Sequence, residues 1–216
     1  MQITIREPGS AITHFIGMMM AVFAAVPLLI KAGVTSGSRS FTAMAIFMAS
    51  MILLYGASAT YHSVNLSGRP LNLFRKLDHM MIFVLIAGSY TPVCLMVLEG
   101  NLGNMLLILV WGIALAGMLV KACWINCPKW FSSVIYIAMG WVCLLVFGQL
   151  LATLPTGAFL WLLAGGIAYT AGGVIYALKL PIFNSKHKNF GSHEVFHLFV
   201  MAGSICHFIC MYAYVA

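Results

Sequence analysis

The sequence predicts an all-α integral membrane protein, a bundle of seven transmembrane helices that forms one domain over residues 1–216. Two observations about composition and pattern support this prediction. Of the 216 residues, 62% are hydrophobic and only 7% are charged, whereas an average soluble domain is about 25% charged. Seven apolar stretches are each long enough to cross a bilayer as a helix, which takes about 20 residues. The loops between them are short, so we expect no soluble domain.

The seven predicted spans account for most of the chain. They cover residues 11–31, 41–62, 78–98, 102–122, 132–153, 157–178 and 192–214. None of them alternates polar and apolar residues with a period of two, which excludes a transmembrane barrel. The first stretch is too long for the apolar region of a signal peptide and lacks a small-residue cleavage site. We therefore expect it to remain as the first span.

Small residues and proline indicate how the spans pack. Small residues let neighbouring helices approach closely. Examples are Gly112 and Ala116 in the fourth span and Gly165, Gly166, Gly172 and Gly173 in the sixth. Pro92 lies inside the third span, and its missing N–H removes a backbone hydrogen bond. We expect that helix to bend there.

Lysine and arginine are distributed unevenly between the two ends of the predicted bundle. Only Lys31 and Arg39 lie on the side away from the N-terminus. The nine on the N-terminal side are Arg6, Arg69, Arg75, Lys76, Lys121, Lys129, Lys179, Lys186 and Lys188. The positive-inside rule then predicts a cytoplasmic N-terminus and an outside C-terminus in the plasma membrane. The net charge of +7 needs no nucleic-acid partner, because a basic rim meets anionic lipid headgroups.

Histidine and carboxylate residues gather at the predicted cytoplasmic ends of three spans. His62 ends the second span, Asp78 begins the third, and His193 and His197 begin the seventh. The spacing of four places the last two on one helical face. Ionisable groups at this depth are costly unless they pair or coordinate. Three imidazoles with an open fourth position are typical of catalytic zinc, and the shortage of carboxylates argues against calcium or magnesium. We predict Zn²⁺ on His62, His193 and His197.

Asp78 and Ser58 are the predicted catalytic residues beside this metal. Asp78 is best placed to accept a hydrogen bond from a water on the zinc, whose pKa the ion lowers to about 7. Ser58 lies one turn before His62 on the same helical face. It could orient a ligand or donate to a developing oxyanion.

The other histidines are predicted to have other roles. His14, His79 and His207 fit hydrogen bonds between helices, and His187 lies between two loop lysines. His207 is ten residues beyond His197, about 15 Å deeper along the helix, which is too far for the same ion.

Two further motifs suggest metal chemistry more weakly. His193-Glu194-x-x-His197 matches the zinc metalloprotease pattern with Glu194 as general base. No suitable third ligand follows it, and Glu194 points to a different helical face, so we expect that side chain to be solvated at the rim. An intramembrane protease remains an alternative. Cys123 and Cys127 have a spacing that could suit zinc, but Pro128 follows and no second pair lies nearby.

The ordered motifs resemble those of a known family, the haemolysin III proteins. They are Ser58-x-x-x-His62, Asp78-His79, Gly88-Ser89-Tyr90-Thr91-Pro92 and His193-x-x-x-His197. These proteins are bacterial members of the progestin and adipoQ receptor superfamily, which is related to the alkaline ceramidases. The resemblance covers nearly the whole chain. It implies seven spans with the N-terminus inside, zinc on the three histidines, and Asp78 and Ser58 completing the site.

The leading functional hypothesis is a zinc-dependent hydrolase that cleaves a lipid amide, such as a ceramide-like amide, or a lipid ester from within the bilayer. One alternative is a non-enzymatic sensor or regulator of membrane state with structural zinc. A second is a cytolytic pore or transporter, although few charged residues line the spans and no inverted repeat is evident. A retinal pump is excluded because the last span has no lysine for a Schiff base. Membrane lipid is the predicted partner, and the small-residue faces permit a dimer without requiring one.

Overall fold

Seven long helical segments confirm the predicted fold class. The structure is a computed structural model that describes residues 5–98, 100–178 and 190–216. No strand occurs within these ranges. The membrane-crossing segments are Pro8–Thr35, Gly37–Ser63, Gly68–Val97, Asn101–Cys123, Lys129–Thr153, Thr156–Leu178 and Ser192–Val215; they are called the first to seventh spans below. Of the cations used to predict the orientation, Lys179, Lys186 and Lys188 lie outside the described residues, and the orientation stays a prediction.

The third span begins at Gly68, ten residues before its predicted start at Asp78. The added turns carry Arg69, Arg75 and Lys76, which lower the hydropathy of the segment but are good helix formers. Gly68 has φ +66°, a left-handed conformation that glycine adopts without steric cost. Asp78 therefore lies within a continuous helix and not at its N-terminus, contrary to the prediction.

Three spans change helix type along their length. The third is α-helical over Gly68–Pro92 and continues as a π-helix over Val93–Val97. The helix type thus changes directly after Pro92, where a bend was expected, and the Leu98 N–H donates to the Val93 carbonyl oxygen at 3.0 Å. The fifth comprises α-helix Lys129–Gly140, 3₁₀-helix Trp141–Val146 and α-helix Phe147–Thr153. The seventh is α-helical over Ser192–Cys210 and ends in a π-helix over Met211–Val215.

The second and third spans form the centre of the bundle. Buried residues make up 50% and 56% of their most apolar windows, against 17–28% for the other five spans. The chain packs first on second, second on third, third on fourth, fifth on sixth, and sixth on seventh, and the seventh returns to the first. This last contact brings the two ends of the sequence together. The outward faces stay apolar, as with Phe23, Ile108 and Leu145, because lipid replaces water around the bundle.

Small residues allow close helix contacts in the sixth and seventh spans but not everywhere expected. A Cβ built at Gly203 would lie 2.8 Å from the ring of Tyr169, and one at Gly172 would lie 2.8 Å from the Cβ of Phe199. These helices therefore approach at distances that only glycine permits. Gly112 was expected to do the same, but nothing lies within 4 Å of a Cβ built there. It and Ala116 are on an exposed face, so that expectation is wrong.

Candidate metal centre

Three histidines from distant parts of the sequence meet at one end of the bundle, called here the histidine end, where the second span ends and the seventh begins. Each of His62, His193 and His197 offers a ring nitrogen, and these atoms all lie within 4.8 Å of one another. His62 Nε2 is 3.2 Å from His193 Nε2. His62 and His197 are buried and His193 is partly buried. Three converging imidazole nitrogens are a donor set that suits zinc.

The outer nitrogen of His62 is held by a carboxylate that the sequence did not lead us to expect. Oε2 of Glu7 is hydrogen-bonded to His62 Nδ1, and the backbone N–H of Glu7 donates to the His62 carbonyl oxygen at 3.0 Å. The hydrogen bond from His62 lowers the pKa of Glu7 to about 2, outweighing the opposing effect of burial, and the Arg6 charge adds to it. A carboxylate only accepts, so His62 Nδ1 carries a proton, and in the neutral ring Nε2 is then the atom that can bind a metal.

His197 is oriented from the first span in a similar way. Its Nδ1 is 3.2 Å from Thr13 Oγ1. The Thr13 hydroxyl lies 3.0 Å from the carbonyl oxygens of both Gly9 and Ser10. If it donates to one of them, it accepts from His197 Nδ1–H and leaves Nε2 as the ligand atom. The ring of His14 stacks on His197 with centroids 3.6 Å apart.

Glu194 fixes the start of the seventh span instead of facing solvent. Its Oε1 accepts a hydrogen bond from Ser10 Oγ at 2.5 Å, and its Oε2 accepts one from the Gly191 backbone N–H at 2.7 Å. The expectation that Glu194 is solvated at the rim is therefore wrong. Both carboxylate oxygens serve the helix N-terminus and its contact with the first span, which satisfies backbone donors that a helix start leaves open.

The first span thus lines the metal centre, which the sequence analysis missed. Glu7 directly precedes this helix. In the first two turns of the helix, Thr13 and His14 contact His197, while the Ser10 side chain contacts Glu194. A signal was available. Glu7 is one of only four acidic residues in the chain, and polar residues recur at helical spacing where an apolar span begins.

Asp78 and Ser58, the predicted catalytic residues, lie in the wall of a cavity that also contacts His193 and His197. Ser58 Oγ is buried and has no hydrogen-bond partner among the described residues. Asp78 Oδ2 is 3.4 Å from His79 Nδ1, but that nitrogen is closer, at 2.9 Å, to the Arg75 carbonyl oxygen. The carboxylate therefore keeps capacity to accept further hydrogen bonds. Neither Asp78 nor Ser58 belongs to the three-histidine group.

The cavity reaches from the histidine end into the interior of the bundle. Its volume is about 120 Å³. Most of its wall is apolar, with residues from the first, second, third, fifth, sixth and seventh spans. They include Leu54, Ile82, Leu85, Ile86, Ile137, Phe196 and Val200. His207 also lines it, and its Nε2 contacts the Leu162 carbonyl oxygen at 3.3 Å. Among the described residues, His14, His79 and His207 do not belong to the three-histidine group. His187 lies outside the described residues.

A second buried polar cluster, the lysine cluster, lies between the fourth and fifth spans and consists of Lys121, Cys127 and Ser132. Lys121 is 2% exposed, and its Nζ donates to Cys127 Sγ at 3.1 Å and to Ser132 Oγ at 2.5 Å. Burial raises the pKa of the Cys127 thiol, but the hydrogen bonds from Ser132 and Lys121 and the lysine charge outweigh it, so the net pKa is below the usual value.

Comparison with known proteins identifies the family. The sequence model of the family described as "Haemolysin-III related" matches residues 2–208. "Hemolysin-3 homolog" of Bacillus subtilis is 35% identical over 212 residues, which cover 98% of this chain and 95% of that protein. "Hemolysin-3" of Bacillus cereus is 35% identical over 210 residues, covering 97% and 92%.

A more distant relative has a different name. "Adiponectin receptor protein" of Drosophila melanogaster is 22% identical over 237 residues, which cover 94% of this chain and 49% of that protein. No solved structure matches the chain significantly. Together with the seven spans, these matches show a multi-pass plasma-membrane protein. They confirm the resemblance read from the motifs: the chain belongs to the Haemolysin-III related family.

Proposed function

We propose that the protein is a zinc-dependent hydrolase of a lipid amide or ester, with its site at the cytoplasmic end of the bundle. The observation that carries this proposal is the shared cavity. One apolar space inside the bundle is lined at its histidine end by His193, His197, Asp78 and Ser58. An apolar pocket with a few converging polar groups is the usual form of a small-molecule site.

His62, His193 and His197 are the residues that would hold the zinc ion. Their donor atoms converge within 4.8 Å, and the hydrogen bonds of Glu7 and Thr13 to the outer nitrogens leave the inner lone pairs available. Three neutral nitrogen donors leave one zinc position for a non-protein ligand. When bound, zinc would supply Lewis-acid polarisation of the acyl carbonyl and activation of a water.

The chain's own residues would perform the remaining steps. The apolar wall binds the acyl chain and excludes bulk water from the reacting carbonyl. The Asp78 carboxylate takes a proton from the water that adds to the carbonyl carbon. The Ser58 hydroxyl, which lacks a partner among the described residues, donates to the oxyanion that develops. The C–N or C–O bond then breaks, and the proton held by Asp78 passes to the leaving nitrogen or oxygen.

A regulator with structural zinc is the second candidate. The observation that favours it is the name of the Drosophila relative, which describes a receptor. In this role zinc would tie the second span to the seventh. Asp78 would then be dispensable for both the fold and the cellular effect.

A lipid-hydrolysis assay of the purified protein distinguishes the hydrolase from the regulator. The wild type, supplied with ceramides and other acyl lipids in mixed micelles, is expected to release fatty acid, measured by mass spectrometry. Asp78→Asn should lower the rate about 100- to 10,000-fold, as for loss of a general base, and Ser58→Ala about 100-fold. Both variants should retain zinc.

Ser133→Ala is the matched control for Ser58→Ala. Ser133 is also a buried serine in the cavity wall whose hydroxyl lacks a partner among the described residues, but it lies on the fifth span. Its substitution should leave the rate nearly unchanged. A wild type that binds zinc and cleaves no lipid of the set would contradict the hydrolase and leave the regulator.

A further inference from the structure

We propose that Glu7 is a positioning residue for the metal ligand His62, and that the segment before the first helix thereby sets the zinc affinity of the site. This inference rests on the zinc site proposed above and extends it to a residue that does not contact the ion. Glu7 acts through His62 alone, by fixing the ring and its proton.

Glu7 holds His62 at two points. Its carboxylate bonds to the ring Nδ1, and its backbone N–H bonds to the His62 carbonyl oxygen at 3.0 Å. The second helix ends at Ser63, so the His62 carbonyl is one of the last-turn oxygens that have no partner within the helix. Because Glu7 forms hydrogen bonds with both the main chain and the ring of His62, it fixes the side-chain rotamer of His62.

The local sequence explains why Glu7 is available for this contact. Pro8 begins the first helix, and a residue before proline is driven out of the α conformation. Glu7 accordingly has φ −133° and ψ 80°, which keeps it outside the helix. Arg6 adds a second attachment, since its guanidinium lies 4.3 Å from the centroid of the Tyr61 ring, next to His62 in the chain.

Of the three candidate ligands, only His62 has a carboxylate bonded to its outer nitrogen within the described residues. His197 has the neutral hydroxyl of Thr13, and His193 Nδ1 is buried without a partner in that part of the chain. A carboxylate behind a ligand histidine fixes the tautomer and raises the basicity of the ring, and its loss typically weakens metal binding 10- to 100-fold. Glu7 should therefore contribute more to zinc affinity than any other residue that acts through a ligand.

The test measures zinc affinity of the full-length protein in detergent by competition with a chromophoric chelator. Glu7→Ala should weaken zinc binding about 10- to 100-fold. Glu7→Gln keeps the shape of the side chain and an oxygen that can accept from Nδ1, so it should lose less. Thermal melting of the zinc-free variants provides the second readout. Glu7→Ala and Ser10→Ala each lose one hydrogen bond to a residue of another helix, so their melting temperatures should fall by similar amounts, and only Glu7→Ala should also lose zinc affinity. Cobalt in place of zinc should show an altered visible spectrum in Glu7→Ala, because that spectrum depends on ligand geometry.

Ser10→Ala is the matched control. It removes only the Ser10 hydroxyl, and with it a different hydrogen bond between the first helix and the seventh span, the one to Glu194. The Ser10 carbonyl oxygen, which lies 3.0 Å from the Thr13 hydroxyl, is unchanged. The zinc affinity of Ser10→Ala should stay close to that of the wild type. An equal loss in Ser10→Ala, or an affinity in Glu7→Ala equal to that of the wild type, would overturn the inference and leave the zinc site in place. If the wild type itself binds no zinc, the proposed function falls together with the inference.

Discussion

The metal centre and the lysine cluster are both buried groups of polar side chains, but their hydrogen bonds are arranged differently. Those of the metal centre bind the outer atoms of its members, whereas those of the lysine cluster join its members to one another. In the metal centre, Glu7 and Thr13 bind the outer nitrogens of His62 and His197, so the inner nitrogens of the rings face one another. In the lysine cluster, the ammonium group of Lys121 donates to both of the other members. The first arrangement leaves acceptors for an ion, whereas the second is satisfied internally. Convergence of the ring nitrogens on one point, and not burial of polar groups, distinguishes a ligand site.

The comparison also explains why residue type and spacing alone do not predict which of the two clusters binds a metal. Cys123 and Cys127 have a spacing that suits zinc, as do His193 and His197. In the structure, Cys123 is exposed and Cys127 is buried against Lys121. The Lys121 ammonium already contacts the Cys127 thiol, and a cation beside a thiol repels a metal ion, so we expect no zinc there.

The largest expected effect contrasts two histidines of the seventh span. His193→Ala removes one of three converging donors, while His207→Ala removes a ring that lines the cavity outside that group. Structural zinc sites bind with roughly 10–16 kcal/mol over four ligands, so one ligand is worth about 3 kcal/mol, or about 150-fold in affinity. We expect that loss in His193→Ala and near wild-type affinity in His207→Ala, measured by chelator competition. Equal losses in the two variants would remove the distinction between the metal centre and other buried histidines.

A smaller effect is expected when the lysine cluster is changed. Lys121→Met removes the donor and the charge that favour the Cys127 thiolate. The pKa of Cys127 should therefore rise, and at a given pH below it less thiolate should be present. Alkylation of Cys127 by iodoacetamide, followed by peptide mass spectrometry across pH, should show its midpoint move to higher pH in the variant.

The zinc affinity of Lys121→Met completes this comparison. The two clusters share no hydrogen-bond partner among the described residues, and the effects of independent sites on affinity are close to additive. Zinc affinity should therefore stay within about twofold of the wild type. A large loss of zinc would show that the lysine cluster takes part in metal binding and would contradict the distinction drawn here.

Hydropathy and charge predicted the spans, and the common depth of His62, His193 and His197 predicted that they meet. Both predictions depend only on the depth of each residue in the membrane, and the positions of the apolar stretches in the sequence indicate that depth. The start of the third helix at Gly68 was missed because the charged residues Arg75 and Lys76 precede the apolar stretch. They mark the edge of the hydrophobic segment, but the helix continues through them to Gly68.

The lateral arrangement of the spans could not be predicted in the same way. Glu7 meets the ring of His62 where the first and second spans pack together. Hydropathy does not specify that the first span also packs against the seventh, and that contact brings Thr13 to the ring of His197. The role of Glu194 depends on the same contact, through Ser10. Side-chain packing across helices that are distant in sequence decides these features.

The most direct test of the central claim is the zinc content of the purified wild type beside His197→Ala. His197 is 1% exposed, its ring belongs to the three-histidine group, and it also carries the contacts to Thr13 and His14. Elemental analysis after removal of loosely bound metal should give about one zinc ion per wild-type chain and almost none in the variant, as for a site with three protein ligands. A wild type without zinc, or a variant that retains one zinc ion per chain, would contradict the metal centre described here.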